Sequence, residues 1–188
     1  MSLIRLAILP FAVAACLAAG APALAQAPTP EELAQRIISV PAPSAYRVDG
    51  VRTGARVRND PRVQGGKALR VPVPGRSEQA WSVGIAVPIT QAVRAGDNLI
   101  LAFWARLEEG QDGATSATLP YIAVQMAGAP YTPLFNGPAT IGPEWRMHEL
   151  RGRATQDHAA NTLNVAMHLA TGRQTVDIGP VFVLNMGQ

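Results

Sequence analysis

The sequence predicts an all-β fold, a β-sandwich with one short helix near its N-terminus. Three observations carry this. First, Gly96 to Arg106 is a Gly-Asp-Asn turn followed by an almost unbroken apolar run, closed by a polar loop from Glu108 to Ser116. Continuous apolar residues between turn signals are how a strand buried on both faces reads, and the run is too short to span a membrane. Second, short apolar or alternating segments recur at fairly even spacing from Tyr46 onward. Third, no second helical pattern of useful length appears, while sixteen prolines and seventeen glycines supply the turns that many strands need.

The elements follow in order. Met1 to Ala25 reads as a secretory signal peptide: Arg5 is the charged start, Leu6 to Ala19 is apolar, and Ala23-Leu24-Ala25 is a cleavage site. Cleavage there leaves a mature chain with no transmembrane span. Cys16, the only cysteine, lies inside this segment, so the mature chain would lack disulfides and thiolate chemistry. Val13-Ala14-Ala15-Cys16 also resembles a lipobox, and lipid anchoring at Cys16 is the alternative to simple cleavage. Either way the expected compartment is periplasmic or extracellular. Residues 26–45 form a lead-in. Its Thr29-Pro30-Glu31-Glu32 is a capping box with Pro at the first helical position, predicting a helix from about Pro30 to Ser39. Residues 46–188 form the sandwich.

Nine strands are expected: Tyr46–Val48, Ala55–Arg58, Ala68–Val73, Ala80–Val87, Leu99–Arg106, Tyr121–Met126, Arg146–Gly152, Leu163–Leu169 and Val176–Asn185. Leu99–Arg106 is read as the central one. Asn136-Gly137-Pro138 is read as a turn. Side chains alternate across a strand, so the faces can be assigned. Leu163, Val165, Met167 and Leu169 form one row, and Asn164, Ala166 and His168 the other. Ile122, Val124 and Met126 face inward, with Tyr121, Ala123 and Gln125 opposite. Val83, Ile85 and Val87 are core, with Ser82, Gly84 and Ala86 opposite. The small and polar faces together predict a shallow groove.

Several segments resemble carbohydrate-binding modules of the type attached to bacterial xylanases and cellulases. Gly66-Lys67-Ala68-Leu69-Arg70-Val71 is similar to their G-x-x-(S/A)-L-x-V strand, and Trp81 follows as a Trp does there. Gly96 to Arg106 is similar to G-x-x-Y-x-L-S-F-W-A-(K/R), with Leu99 in place of Tyr. Gly142 to His148 is similar to G-x-x-W-x-x-(H/L). The resemblance implies a galactose-binding-like jelly roll. It also implies a structural Ca²⁺ in many relatives, but Gly179 and Pro180 stand where the family pairs two Asp. No cofactor is therefore expected, and calcium is doubtful.

Sugar binding requires flat aromatic faces and planar polar groups. The candidates are Arg76, Trp81, Tyr121, Gln125, Asn164 and His168, with Tyr131 on a nearby loop. The resemblance implies a ligand-contacting Arg at Arg76. Trp81 shares the parity of Val83 and Ile85, which would instead make it a plug at the core's edge. Trp145 reads as a core anchor. His148 and His168 could be neighbours across strands. No enzyme is expected: Glu144 and Glu149 form no facing pair, and no strained nucleophile turn occurs. The formal charge of +3 is mild and its arginines are scattered, which argues against nucleic acid. The expected function is non-catalytic glycan binding. The alternative is a cell-envelope domain contacting another envelope protein, favoured by the small residues Ser82, Gly84, Ala86, Ala102, Ala123 and Ala166.

Overall fold

A computed structural model describes residues 28–51 and 53–188; the expected signal peptide and Cys16 lie outside the described residues. The described chain forms a helix, α1 (Pro30–Gln35), and ten strands. These are β1 (Arg47–Asp49), β2 (Arg56–Asn59), β3 (Lys67–Val73), β4 (Gly84–Ile89), β5 (Asn98–Glu109), β6 (Ala117–Met126), β7 (Pro133–Ile141), β8 (Arg146–Arg153), β9 (Leu163–His168) and β10 (Gln174–Gly187). All pairings are antiparallel. The first sheet runs β1-β4-β9-β6-β7 and the second β2-β3-β10-β5-β8. Their inner faces meet in one core, built from Ile85, Val87, Ile122, Val124, Val165 and Met167 on one side and Val71, Leu101, Phe103, Ile178 and Val183 on the other. This is the jelly-roll sandwich that the alternation and the motif resemblance predict.

The apolar run that anchors the sequence pattern is β5, and both of its faces are largely buried. It lies inside the second sheet, between β10 and β8, but the centre of that sheet is β10. The strand expected at Val176–Asn185 is β10, and its central place is masked because Gly179-Pro180 interrupts its apolar run with a bulge between Ile178 and Val181. Backbone groups freed there find side-chain partners. The Tyr46 hydroxyl accepts from Val181 N–H (2.8 Å) and lies within donating reach of Gly179 O (3.2 Å) and Pro41 O (2.7 Å). Ser39 Oγ donates to Val181 O and accepts from Val183 N–H.

Ser39 can do this because the helix ends earlier than predicted. The capping box forms as expected, with Thr29 accepting from Glu32 N–H and the Glu32 carboxylate accepting from Thr29 N–H. Beyond Gln35, however, Ile37 bridges to Leu184 in the second sheet and Ser39 to Ile89 in the first. Extended pairing with both sheets, plus burial of Ile38, overrides the helical spacing of Leu33, Ile37 and Ile38.

Two further expectations fail. Asn136-Gly137-Pro138 is no turn but the middle of β7, a strand missing from the predicted nine. Proline is tolerated at sheet edges and bulges, and β7 is both an edge strand and opposite a bulge at Pro120-Tyr121. A Cβ at Gly137 would lie 2.9 Å from a Leu150 methyl, so this strand must pass close to β8. The predicted strand from Ala80 begins only at Gly84, because Ala80–Ser82 is a 3₁₀ turn.

Candidate functional site

Register places the outward side chains of β4, β9 and β6 in three cross-strand rows. Gly84 and His168 are partners, and the Tyr121 ring lies against His168, stacked at 4.3 Å between centroids and 18° between planes. Ala86, Ala166 and Ala123 form the middle row. Pro88, Asn164 and Gln125 form the third. The small middle row sinks the floor, and the bulkier outer rows stand above it. Four residue steps along β9 separate Asn164 from His168, about 14 Å along an antiparallel strand.

The result is a groove of about 690 Å³. Trp81, Tyr121, Gln125, Asn164 and His168 line it together. Arg76 does not; it is exposed in the β3–β4 connection. The next residue, Ser77, donates its N–H to Ala170 O, which holds this loop against the β9–β10 turn. Trp81 is not a core plug. The 3₁₀ turn breaks its parity with Val83 and Ile85 and leaves it 59% exposed at the groove. Tyr131, exposed on the β6–β7 loop, lines the groove too. Arg47 and Asp49 complete the wall from β1, as an ion pair at 3.0 Å. Sequence reasoning missed them, although Arg47-Val48-Asp49 carries the alternation that turns both to one face.

The chemistry of the groove is that of neutral polar groups with unspent hydrogen-bonding capacity. Burial raises the Tyr121 hydroxyl's pKa, and the hydroxyl donates to Gln125 Oε1 at 2.8 Å. That leaves the Gln125 N–H groups with no protein partner among the described residues. Burial lowers the His168 pKa below its ordinary 6.5, so the imidazole is neutral near pH 7. The Asn164 carboxamide makes no side-chain hydrogen bond among the described residues, and its buried Oδ1 has no partner. Among the described residues the one carboxylate lining the groove is Asp49, already paired with Arg47, so no described pair of carboxyl groups faces across it as glycoside hydrolysis requires.

The other residues singled out by sequence lie elsewhere. His148 is on β8, stacked on Phe103 at 5.2 Å, so it and His168 belong to different sheets. Trp145 is half-buried over the outer face of the second sheet rather than anchoring the core. The Arg106 guanidinium sits 5.4 Å from its ring centre, and its indole N–H donates to Asp60. That outer face carries an ionic cluster. Asp177, fully buried, accepts from Arg70 (2.8 and 3.0 Å), Arg106 (2.8 and 3.0 Å) and Arg58 (3.3 Å). Glu108 contacts Arg70 and Arg106 as well. Asp60 is held well below the usual carboxylate range, chiefly by its hydrogen bonds from Arg62. Calcium binding needs several carboxylate or carbonyl oxygens free to converge. Here Asp60, Glu108 and Asp177 are spent on arginines, and among the described residues no group of three acidic, His or Cys side chains is placed to hold a metal ion. The residues do not fit the calcium site of the resembled family.

No family profile matches the sequence, and no curated protein does. Solved structures do. A CBM4 structure superposes with a TM-score of 0.57 at 17% identity, covering 76% of this chain and 96% of the other. The CBM22-1 xylan-binding domain from Paenibacillus barcinonensis Xyn10C matches with a TM-score of 0.54 at 12% identity, covering 81% of this chain and 93% of that one. The N-terminal cellulose-binding domain of Cellulomonas fimi β-1,4-glucanase C matches with a TM-score of 0.52 at 17% identity, covering 79% and 93%. The chain thus has the jelly-roll fold of the CBM4, CBM22 and cellulose-binding domains.

Proposed function

We propose that the protein is a non-catalytic carbohydrate-binding module that holds a polysaccharide or oligosaccharide in the groove of the first sheet, outside the cytoplasm. The observation that carries this is the pairing, in one trough, of exposed aromatic faces with unspent amides. Trp81, Tyr121 and Tyr131 offer flat apolar surface, while Gln125 and Asn164 offer donors and acceptors that the protein itself does not use. The fold shared with cellulose-binding and xylan-binding domains supports the same reading. The signal-peptide pattern of residues 1–25 supports the compartment. No helix among the described residues is long and apolar enough to cross a membrane.

The Ala86-Ala166-Ala123 floor also suits close packing against another envelope protein. It is recessed between bulkier rows, however, and a trough accepts a slender chain better than a flat protein face.

Affinity electrophoresis of the protein through xylan, β-glucan, soluble cellulose derivatives, mannan and peptidoglycan fragments tests the proposal. Retardation by one polymer is expected, and it should vanish when Tyr121→Ala and Gln125→Ala are combined in a variant that still melts cooperatively. A folded wild-type protein that none of these polymers retards refutes glycan binding, and a co-purifying partner would then favour the envelope alternative.

A further inference from the structure

The groove does not end at Asn164. A second cavity of about 260 Å³ opens beside it and shares Arg47, Ala86 and Asn164 with the first. Its character is different. No aromatic residue lines it; Ala45, Ala86, Pro88, Ala127 and Leu163 give it an apolar wall, and exposed Asn161 stands among them. Asn164 sits at the junction, 9% exposed, with a buried oxygen that no donor reaches. Resting on the glycan-binding reading, we infer that this side cavity receives the acetamido group of an N-acetylated amino sugar, and that the preferred ligands are N-acetylhexosamine-containing glycans.

The chemistry is complementary at each point. A carboxamide carries both donors and acceptors, and a secondary amide presents one N–H and one C=O in the same plane. The acetamido N–H supplies the donor that Asn164 Oδ1 lacks, once the side-chain amide turns toward the groove. The acetamido carbonyl accepts from Arg47, whose Nε serves Asp49 and whose terminal N–H groups have no partner among the described residues. The acetyl methyl contacts the alanine and proline wall. A sugar bearing only hydroxyls would bring polar groups against that wall without partners for them, which is unfavourable. The stacked Tyr121–His168 pair, in the neighbouring row, remains free to cover the pyranose face.

Calorimetric titration of the intact protein with chitotetraose and with cellotetraose separates the possibilities, because the two chains share their linkage and differ at the acetamido group. Chitotetraose should bind at least about tenfold more tightly, the discrimination expected when a site's buried amide is left unpaired by the wrong ligand. Asn164→Leu should abolish that preference. Ala127→Phe, which fills the side cavity from an exposed position, should do the same and guards against misfolding of the first variant. Equal or tighter binding of cellotetraose would overturn the inference and leave the glycan-binding reading standing. Binding of neither by a folded protein, with no polymer retarding it in the gels above, would overturn both.

Discussion

The two sheets share one alternation pattern and use it in opposite ways. On the outer face of the second sheet, polar side chains are spent on each other: Arg58, Arg70 and Arg106 close around Asp177, Glu108 and Asp60. On the outer face of the first sheet, the floor is alanine, and among the described residues the Asn164 side chain has no hydrogen-bond partner and Gln125 keeps its donors. Buried polar groups that satisfy one another hold a structure in place, whereas groups left unpaired beside an open trough are available to a ligand. The comparison therefore separates a face whose polar groups are committed to one another from a face whose polar groups are open to the proposed ligand, without reference to any relative.

The largest effect should come from breaking the closed face. Asp177→Ala leaves Arg70 and Arg106 partly or wholly buried around a missing anion, and removing one partner of such a pair costs about 3–5 kcal/mol. Urea unfolding should show that loss, with glycan affinity unchanged in whatever fraction remains folded. A loss below about 1 kcal/mol would mean that water or rearranged acids replace Asp177, and that the face is not a lock.

The opposite signature is expected on the open face. Trp81 is more than half exposed and makes no side-chain hydrogen bond among the described residues. Trp81→Ala should change unfolding free energy by no more than about 0.5 kcal/mol, as for surface positions generally. Its glycan affinity should fall by about tenfold, within the range of lost aromatic contact. If stability fell and affinity did not, Trp81 would belong to the fold and the contrast between the faces would be blurred.

Legibility in the sequence divides along the same line. The groove on the open face is readable because its residues follow period-two alternation on single strands: Tyr121 and Gln125 on β6, Asn164 and His168 on β9. The closed face is not. Its partners come from β2, β3, β5 and β10, up to 119 positions apart, and no local spacing marks them. Strand β7 was hidden because Asn-Gly-Pro carries turn chemistry, which edge pairing and a bulge overrode. Trp81 was mis-paired with the core because parity holds only inside a strand, and the strand starts three residues later.

A smaller effect concerns His148 on β8 of the closed sheet. Its Nε2 is buried without a partner, and its pKa is lowered first by burial and then by the Arg146 charge. In the unfolded chain the ordinary value is 6.5. As pH falls below that value the unfolded state binds the proton first, so stability present above pH 6.5 is lost on the way down to the depressed folded value. His148→Phe keeps the stack on Phe103 and removes both the orphan atom and its proton uptake. Unfolding at about pH 7.5 should be unchanged or up to about 1 kcal/mol more costly, and the drop on going to about pH 5 should be shallower than in the parent. An equally steep drop would assign the acid sensitivity to His168 in the groove, whose pKa is also lowered by burial.

The smallest expected effect is none at all, and it tests whether the closed face stands where relatives use a metal. Gly179 and Pro180 occupy the positions of the resembled family's acidic pair, and the bulge they form is tied down by Tyr46 and Ser39 instead. The acid that remains on that strand, Asp177, has its oxygens committed to arginines. A divalent cation would have to displace charged donors already in place and would bring its own positive charge toward Arg58, Arg70 and Arg106. Melting in excess EDTA and in millimolar Ca²⁺ should therefore give the same midpoint. A midpoint that rises with calcium would show that oxygens outside this cluster assemble a site, because ligands that bind only the folded state must raise its stability.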